Sequence, residues 1–271
     1  MSHGRFDNPV IASLAGFWDR FRKQELESHL TENDRFDGKT VLVTGANSGL
    51  GFAICVEIAR RGGHVIMACR RQIPEAGNKA KKLSGSANIE MRHLDLTSIT
   101  SIHEFADSLK RDNIYLDITI LNAGVTPPKA RKTASGLDEM FLVNYLSNVM
   151  LTNLLITNGV INININININ NSSNNNNLNF KPRILFISSD SHQGSSYVDY
   201  EEFGTYFDYG VSKAIANYSY FKLVLNTYAT ELSRKINHDG FNAGINVICP
   251  GPVNSNIVKE APFLLRVILK G

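Results

Sequence analysis

From Thr40 onward, short β-branched apolar runs alternate with longer stretches of helical period. That alternation is the mark of βαβ units and a parallel sheet. The runs predict strands at Thr40 to Thr44, His64 to Cys69, Ile89 to His93, Ile118 to Leu121, Ile184 to Ser188 and Ile245 to Ile248. Each is apolar enough to expect burial on both faces. Between them, Leu50 to Arg61 reads as a helix stopped by Gly62 and Gly63, and Ile99 to Lys110, Leu137 to Ile156 and Tyr209 to Ile236 have helical length and period. The fold class is α/β, a doubly wound, Rossmann-like parallel sheet in a single domain over 38–271.

Two segments depart from this rhythm. Residues 161–179 run from an Asn-Ile alternation into an Asn and Ser tract with little varied apolar surface, and read as an inserted surface loop. Its uncharged, proline-free alternation is an aggregation liability. Residues 1–37 read as an extension in which Val10, Ile11, Leu14, Phe17, Trp18 and Phe21 share one helical stripe, with Arg20, Arg22 and Lys23 beside it. Such a helix packs on the following domain or, through 10–23, lies peripherally on a membrane surface.

Composition narrows the classes. A net charge of +3 over 271 residues, with scattered Lys and Arg, gives no nucleic-acid footprint. Cys55, Cys69 and Cys249 are far apart and odd in number, which argues against a disulfide framework or a metal site and fits a reducing compartment. No apolar run approaches the roughly 18 residues of a membrane span, and the N-terminus lacks a signal-peptide pattern. An intracellular, cytoplasmic protein is the expectation.

The candidate chemistry begins after the first strand with Thr44-Gly45-Ala46-Asn47-Ser48-Gly49-Leu50-Gly51, followed at once by a helix. Glycines there allow a tight turn and close approach of a pyrophosphate to free N–H groups at the helix's positive end. A carboxylate for a ribose 2′-hydroxyl is expected about 20 residues on. Arg70 and Arg71 stand there instead, a pair suited to a 2′-phosphate, so NADP(H) is preferred and NAD(H) less so. Tyr209 and Lys213, four apart, are read as a helical pair in which the ammonium stabilises a phenolate. Such a tyrosine gives a proton to a carbonyl oxygen or takes one from an alcohol.

These features, with Asp95-Leu96, Asn122-Ala123-Gly124, Asn144, Ser188-Ser189, Tyr209 through Lys213 and Pro250-Gly251 in order, resemble the short-chain dehydrogenase/reductase family. ACRR, LTNLL, SSDSH and PGPVNSNI resemble its retinol-dehydrogenase-like branch. The resemblance implies a tetrad: Asn144 ordering a water relay, Ser189 bonding the substrate oxygen, Tyr209 as acid/base, and Lys213 binding the nicotinamide ribose. The resemblance also implies Ser189 over Ser188, and because alternate strand residues face opposite ways only one of the two is expected to reach the cleft. The resemblance also implies that Asp95 and Leu96 hold the adenine, that Asn122, Ala123 and Gly124 line the adenosine ribose, and that Pro250 and Gly251 face the nicotinamide.

Departures from the family pattern are Leu121 for a first Asn, Ser147 and Asn148 for a Gly and a His, and Cys249 for a His. The family continues past Pro-Gly through a substrate-binding helix and a final strand, so the sixth strand is expected to be an exposed edge with the final strand lacking. The reading is an NADP(H)-dependent oxidoreductase acting on an apolar carbonyl or alcohol of retinoid, steroid or lipid-aldehyde type. Its alternative is a catalytically impaired cofactor-binding or interaction protein of the same fold. A nucleotide-sugar epimerase would ordinarily need a longer C-terminal substrate domain. A homodimer through the helices carrying Asn144 and Tyr209 is what the resemblance implies for assembly.

Overall fold

The computed structural model describes residues 30–164, 180–195 and 203–251. Six strands form one sheet: β1 Thr40–Thr44, β2 His64–Cys69, β3 Ile89–His93, β4 Ile118–Leu121, β5 Arg183–Ile187 and β6 Gly244–Ile248. All pair in parallel, in the order β3-β2-β1-β4-β5-β6. Four of the six strands lie on their sequence-predicted bounds, and β5 and β6 start one residue early.

Period-two alternation divides the core into two layers. Val41 and Val43 of β1, with Val65 and Met67 of β2, pack under helices α1 Gly49–Arg60 and α2 Glu75–Ser84. Leu42, Ile66, Leu121 and Phe186 point the other way, against α3 Ile99–Arg111, α5 Ser147–Thr157 and α6 Val211–His238. Periodicity did not reveal α2: among its ten residues only Ala76, Gly77 and Ala80 are buried, too short and small an apolar face to stand out.

The expectation of strands buried on both faces holds in the centre and fails at the margins. β1, β2 and β4 are almost wholly buried, whereas β3 keeps one buried residue and β6 none. Among the described residues β6 is the last strand on its side, with Val247 and Ile248 exposed.

The predicted helix from Leu137 to Ile156 is a composite. A single turn, α4 Glu139–Phe141, runs into a π turn, Leu142–Leu146, and then into α5. Residues Glu139–Thr157 are long and apolar enough to cross a membrane, which corrects the expectation that no such run exists. More than half of the segment is buried inside the protein, as a core helix would be.

Two boundaries also move. Ile161, taken as the start of an inserted loop, is buried in the core, and Ile163 packs beside it while its carbonyl accepts from the Asn242 N–H at 2.7 Å. The rest of that loop from 165 to 179, and the amphipathic stretch 10–23, lie outside the described residues. Residues 30–37 are tied to the domain by Arg61, whose Nη1 donates to the Thr31 and Asp34 carbonyls.

Candidate functional site

A cleft of about 480 Å³ opens at the carboxyl ends of the strands, where β1 and β4 part the connections to either side. Such a switch point is where open α/β sheets bind ligands. The turn after β1 forms one wall. Gly45 and Gly49 have positive φ, 64° and 54°. A Cβ on Gly51 would stand 2.5 Å from Asn122 Nδ2 and 2.7 Å from the Gly45 carbonyl, so this approach requires glycine. Ser48 caps α1 in extended conformation with no side-chain bond, and the first turn carries no acidic residue. The leading N–H groups of α1 are left for an anion.

β1 and β4 are pinned together here. The buried Thr44 hydroxyl accepts from the Asn122 and Ala123 N–H groups at 3.0 and 3.1 Å, while Asn122 Nδ2 donates to the Thr44 carbonyl at 3.0 Å. Gly124, Val125 and Thr126 continue the wall. At the β2 end, Arg70 and Arg71 are exposed and line the cleft, with Arg70 Nη1 3.7 Å from Asp95 Oδ1. Asp95 also accepts from Thr97 through its N–H at 2.9 Å and its hydroxyl at 2.7 Å, which fixes the carboxylate beside Leu96. Asn47, Ser48, Gly49 and Leu50 complete this end.

The opposite end is built from β5, α6 and the segment after β6. Ser189, Tyr218, Lys222, Cys249, Pro250 and Gly251 meet there. Lys222 is buried, and its Nζ donates to the Ile187 carbonyl at 2.7 Å and lies 5.6 Å from the Tyr218 ring centre. Burial lowers its pKa to about 8. Burial raises the Tyr218 phenol to about 12, against an opposing pull from the Ser189 side chain. Ser188 Oγ, by contrast, is buried without a partner. Both serines line the cleft, and Ser189 is the one that acts on the Tyr218 phenol.

This geometry corrects the Tyr209 and Lys213 assignment. Helix α6 begins at Val211 with Gly210 as its N-cap, so Tyr209 precedes the helix and the four-residue spacing does not put the two on one face. Tyr209 is buried among Met140, Phe141, Ala214 and Phe221. Its hydroxyl has no hydrogen-bond partner, and burial and then the facing Asp138 carboxyl push the phenol far above its usual range. Lys213 is exposed, and neither residue lines the cleft. Nine residues on, Tyr218-Ser219-Tyr220-Phe221-Lys222 repeats the spacing wholly inside the helix. That second occurrence was visible in the sequence, and its position well within a helix was the signal to prefer it.

Asn144 lies in the π turn, fully buried and behind the cleft wall. Its side chain accepts from the Val125 N–H at 2.8 Å and donates to the Val125 carbonyl at 2.9 Å, clamping the loop that lines the cleft. Sequence reasoning also missed Glu139, a cleft-lining carboxylate paired with Arg131 at 2.6 Å.

The cleft has a glycine turn at a helix N-terminus, two arginines at one end and a half-buried tyrosine with a buried lysine at the other, and its residues fit a dinucleotide laid along it. Comparison with known proteins agrees. The model of the short chain dehydrogenase family matches residues 39–177. Human retinol dehydrogenase 13 is 32% identical over 223 residues, covering 81% of this chain and 60% of that protein. Human retinol dehydrogenase 14 is 32% identical over 246 residues, covering 85% and 66%. The chain thus spans less than two thirds of the length of either relative. A short-chain dehydrogenase of Sphingobium yanoikuyae, solved in complex with NADPH, shares the fold at a TM-score of 0.57 and 21% identity, covering 82% of this chain and 74% of that one. With more than half of its length matched by the family model and retinol dehydrogenases among its similar relatives, the chain belongs to the short-chain dehydrogenase family, in the retinol-dehydrogenase-like branch.

Proposed function

We propose that the protein is an NADP(H)-dependent oxidoreductase that interconverts an apolar carbonyl compound and its alcohol, with Tyr218 as acid/base. The observation that carries this reading is the Ser189–Tyr218–Lys222 arrangement at one end of a cleft whose other end holds Arg70 and Arg71.

The nicotinamide cofactor, when bound, supplies or accepts the hydride. Thr44 through Gly51 would hold its pyrophosphate, Asp95, Leu96, Asn122, Ala123 and Gly124 its adenosine end, and Pro250 and Gly251 its nicotinamide end. Arg70 and Arg71 would pair with a 2′-phosphate, which a ribose hydroxyl cannot reciprocate. Tyr218 gives its proton to the carbonyl oxygen in reduction and takes it back in oxidation. Ser189 holds that oxygen beside the phenol. Lys222 lowers the cost of the phenolate, and its ammonium is complete only below about pH 8. Asn144 would order a water relay to this site. The apolar substrate class rests on the retinol dehydrogenase relatives, and peripheral membrane contact through 10–23 and a homodimer belong to the same proposal.

The test is a calorimetric titration with NADPH and NADH side by side, followed by NADPH consumption with a panel of apolar aldehydes and ketones. Tighter NADPH binding and turnover that vanishes in Tyr218→Phe are expected. Absence of binding by either nucleotide overturns the reading.

A further inference from the structure

The π turn before α5 is sustained by side chains of the residues that follow it. At its C-cap the backbone N–H reaches back to the Leu142 carbonyl, a register wider than an α-turn. The next two carbonyls take side-chain donors: Ser147 Oγ donates to the Val143 carbonyl at 2.9 Å, and Asn148 Nδ2 donates to the Val143 and Asn144 carbonyls at 3.3 and 3.1 Å. Both residues are buried. Only an amide nitrogen can face two carbonyl oxygens, so the orientation of Asn148 is fixed by its partners. Its Oδ1 is buried without a partner, so the donor end alone ties the residue to the turn.

We propose that Ser147 and Asn148 are positioning residues that hold the π turn in the form that keeps Asn144 clamped on Val125, and thereby set the 122–125 wall of the cleft. The chain of contacts is continuous: Asn148 amide to Asn144 carbonyl, Asn144 side chain to both backbone groups of Val125, and Val125 to the cleft. The effect on turnover rests on the function proposed above, while the effect on the wall does not.

The test compares Asn148→Ala with Asn148→Ser in the full chain. The two remove similar volume, but a serine hydroxyl in a helix returns a donor to the carbonyl four residues back, here Asn144. Hydrogen exchange at the Val125 amide should quicken about tenfold in Asn148→Ala, the loss of one buried hydrogen bond's worth, and return to within about threefold of the parent in Asn148→Ser. In turnover, kcat should fall in the alanine variant and recover in the serine variant, with aldehyde KM little changed in either. Equal acceleration of exchange in both variants, or none in either, overturns the proposal. A parent chain without turnover whose exchange rates still separate alanine from serine sustains the positioning role and sinks only the enzymatic reading.

Discussion

Two Tyr-x-x-x-Lys segments lie nine residues apart, and the structure treats them oppositely. Tyr209 sits before the N-cap of α6 in an apolar cluster, its phenol pushed up by burial and by a carboxyl, and Lys213 is in solvent. Tyr218 and Lys222 share a face well inside the helix, opposite Ser189 and the carbonyl end of β5. Spacing makes a pair only where the backbone is helical across it. Burial raises both phenols, and the carboxyl facing Tyr209 raises it further, whereas the Ser189 side chain opposes the rise at Tyr218. The same four-residue interval therefore yields a structural tyrosine once and an acid/base candidate once.

The comparison breaks first on the phenols. Tyr218→Phe should lower kcat by about 10³-fold while NADPH affinity stays within about threefold, the range expected for removing a general acid. A variant retaining a tenth or more of the parent rate would return the role to another residue. Lys222→Met should cost about 10²-fold in kcat/KM for carbonyl reduction and should flatten its pH profile. In the parent, Lys222 is charged below about pH 8 and neutral above it, so kcat/KM should hold at lower pH and decline above about 8. A parent profile that stays level well above pH 8 would show that the lysine's charge does not enter.

At the other end of the cleft, Arg70→Ala with Arg71→Ala should weaken NADPH by about 10- to 100-fold and NADH by less than about threefold, as loss of charge-assisted bonds to a phosphate predicts. Equal losses in paired calorimetric titrations would mean that neither arginine reads the 2′-phosphate. The smallest effects are expected at the other pair. Tyr209→Phe removes a buried hydroxyl that has no hydrogen bond, so stability by urea melts should change by less than about 1 kcal/mol and kcat hardly at all. Lys213→Ala should be as quiet, as exposed substitutions usually are. A large loss of turnover in either variant would reverse the comparison on which the site rests.

Much of this was legible without a structure. Buried parallel strands must be nearly continuous apolar runs, so β1, β2 and β4 could be bounded to the residue, and the largely unburied β3 was bounded as well. The glycine turn, Arg70, Arg71, Asp95 and Asn122 through Gly124 are local in sequence and fall where the β1, β2, β3 and β4 ends bring them. Helix α2 was hidden because its apolar face is three small residues, and the π turn because it shares the periodicity of the helices on either side.

The sequence by itself determined the doubly wound parallel sheet and the glycine turn after β1, because these follow from local periodicity and from glycines at positions that a side chain would crowd. Only the tertiary structure decided which tyrosine and lysine belong to the cleft, which serine meets them, and that Asn144 acts on the wall through Val125. Those relations join residues on different elements, and the burial and neighbouring charge that set a side chain's chemistry exist only once the elements have packed.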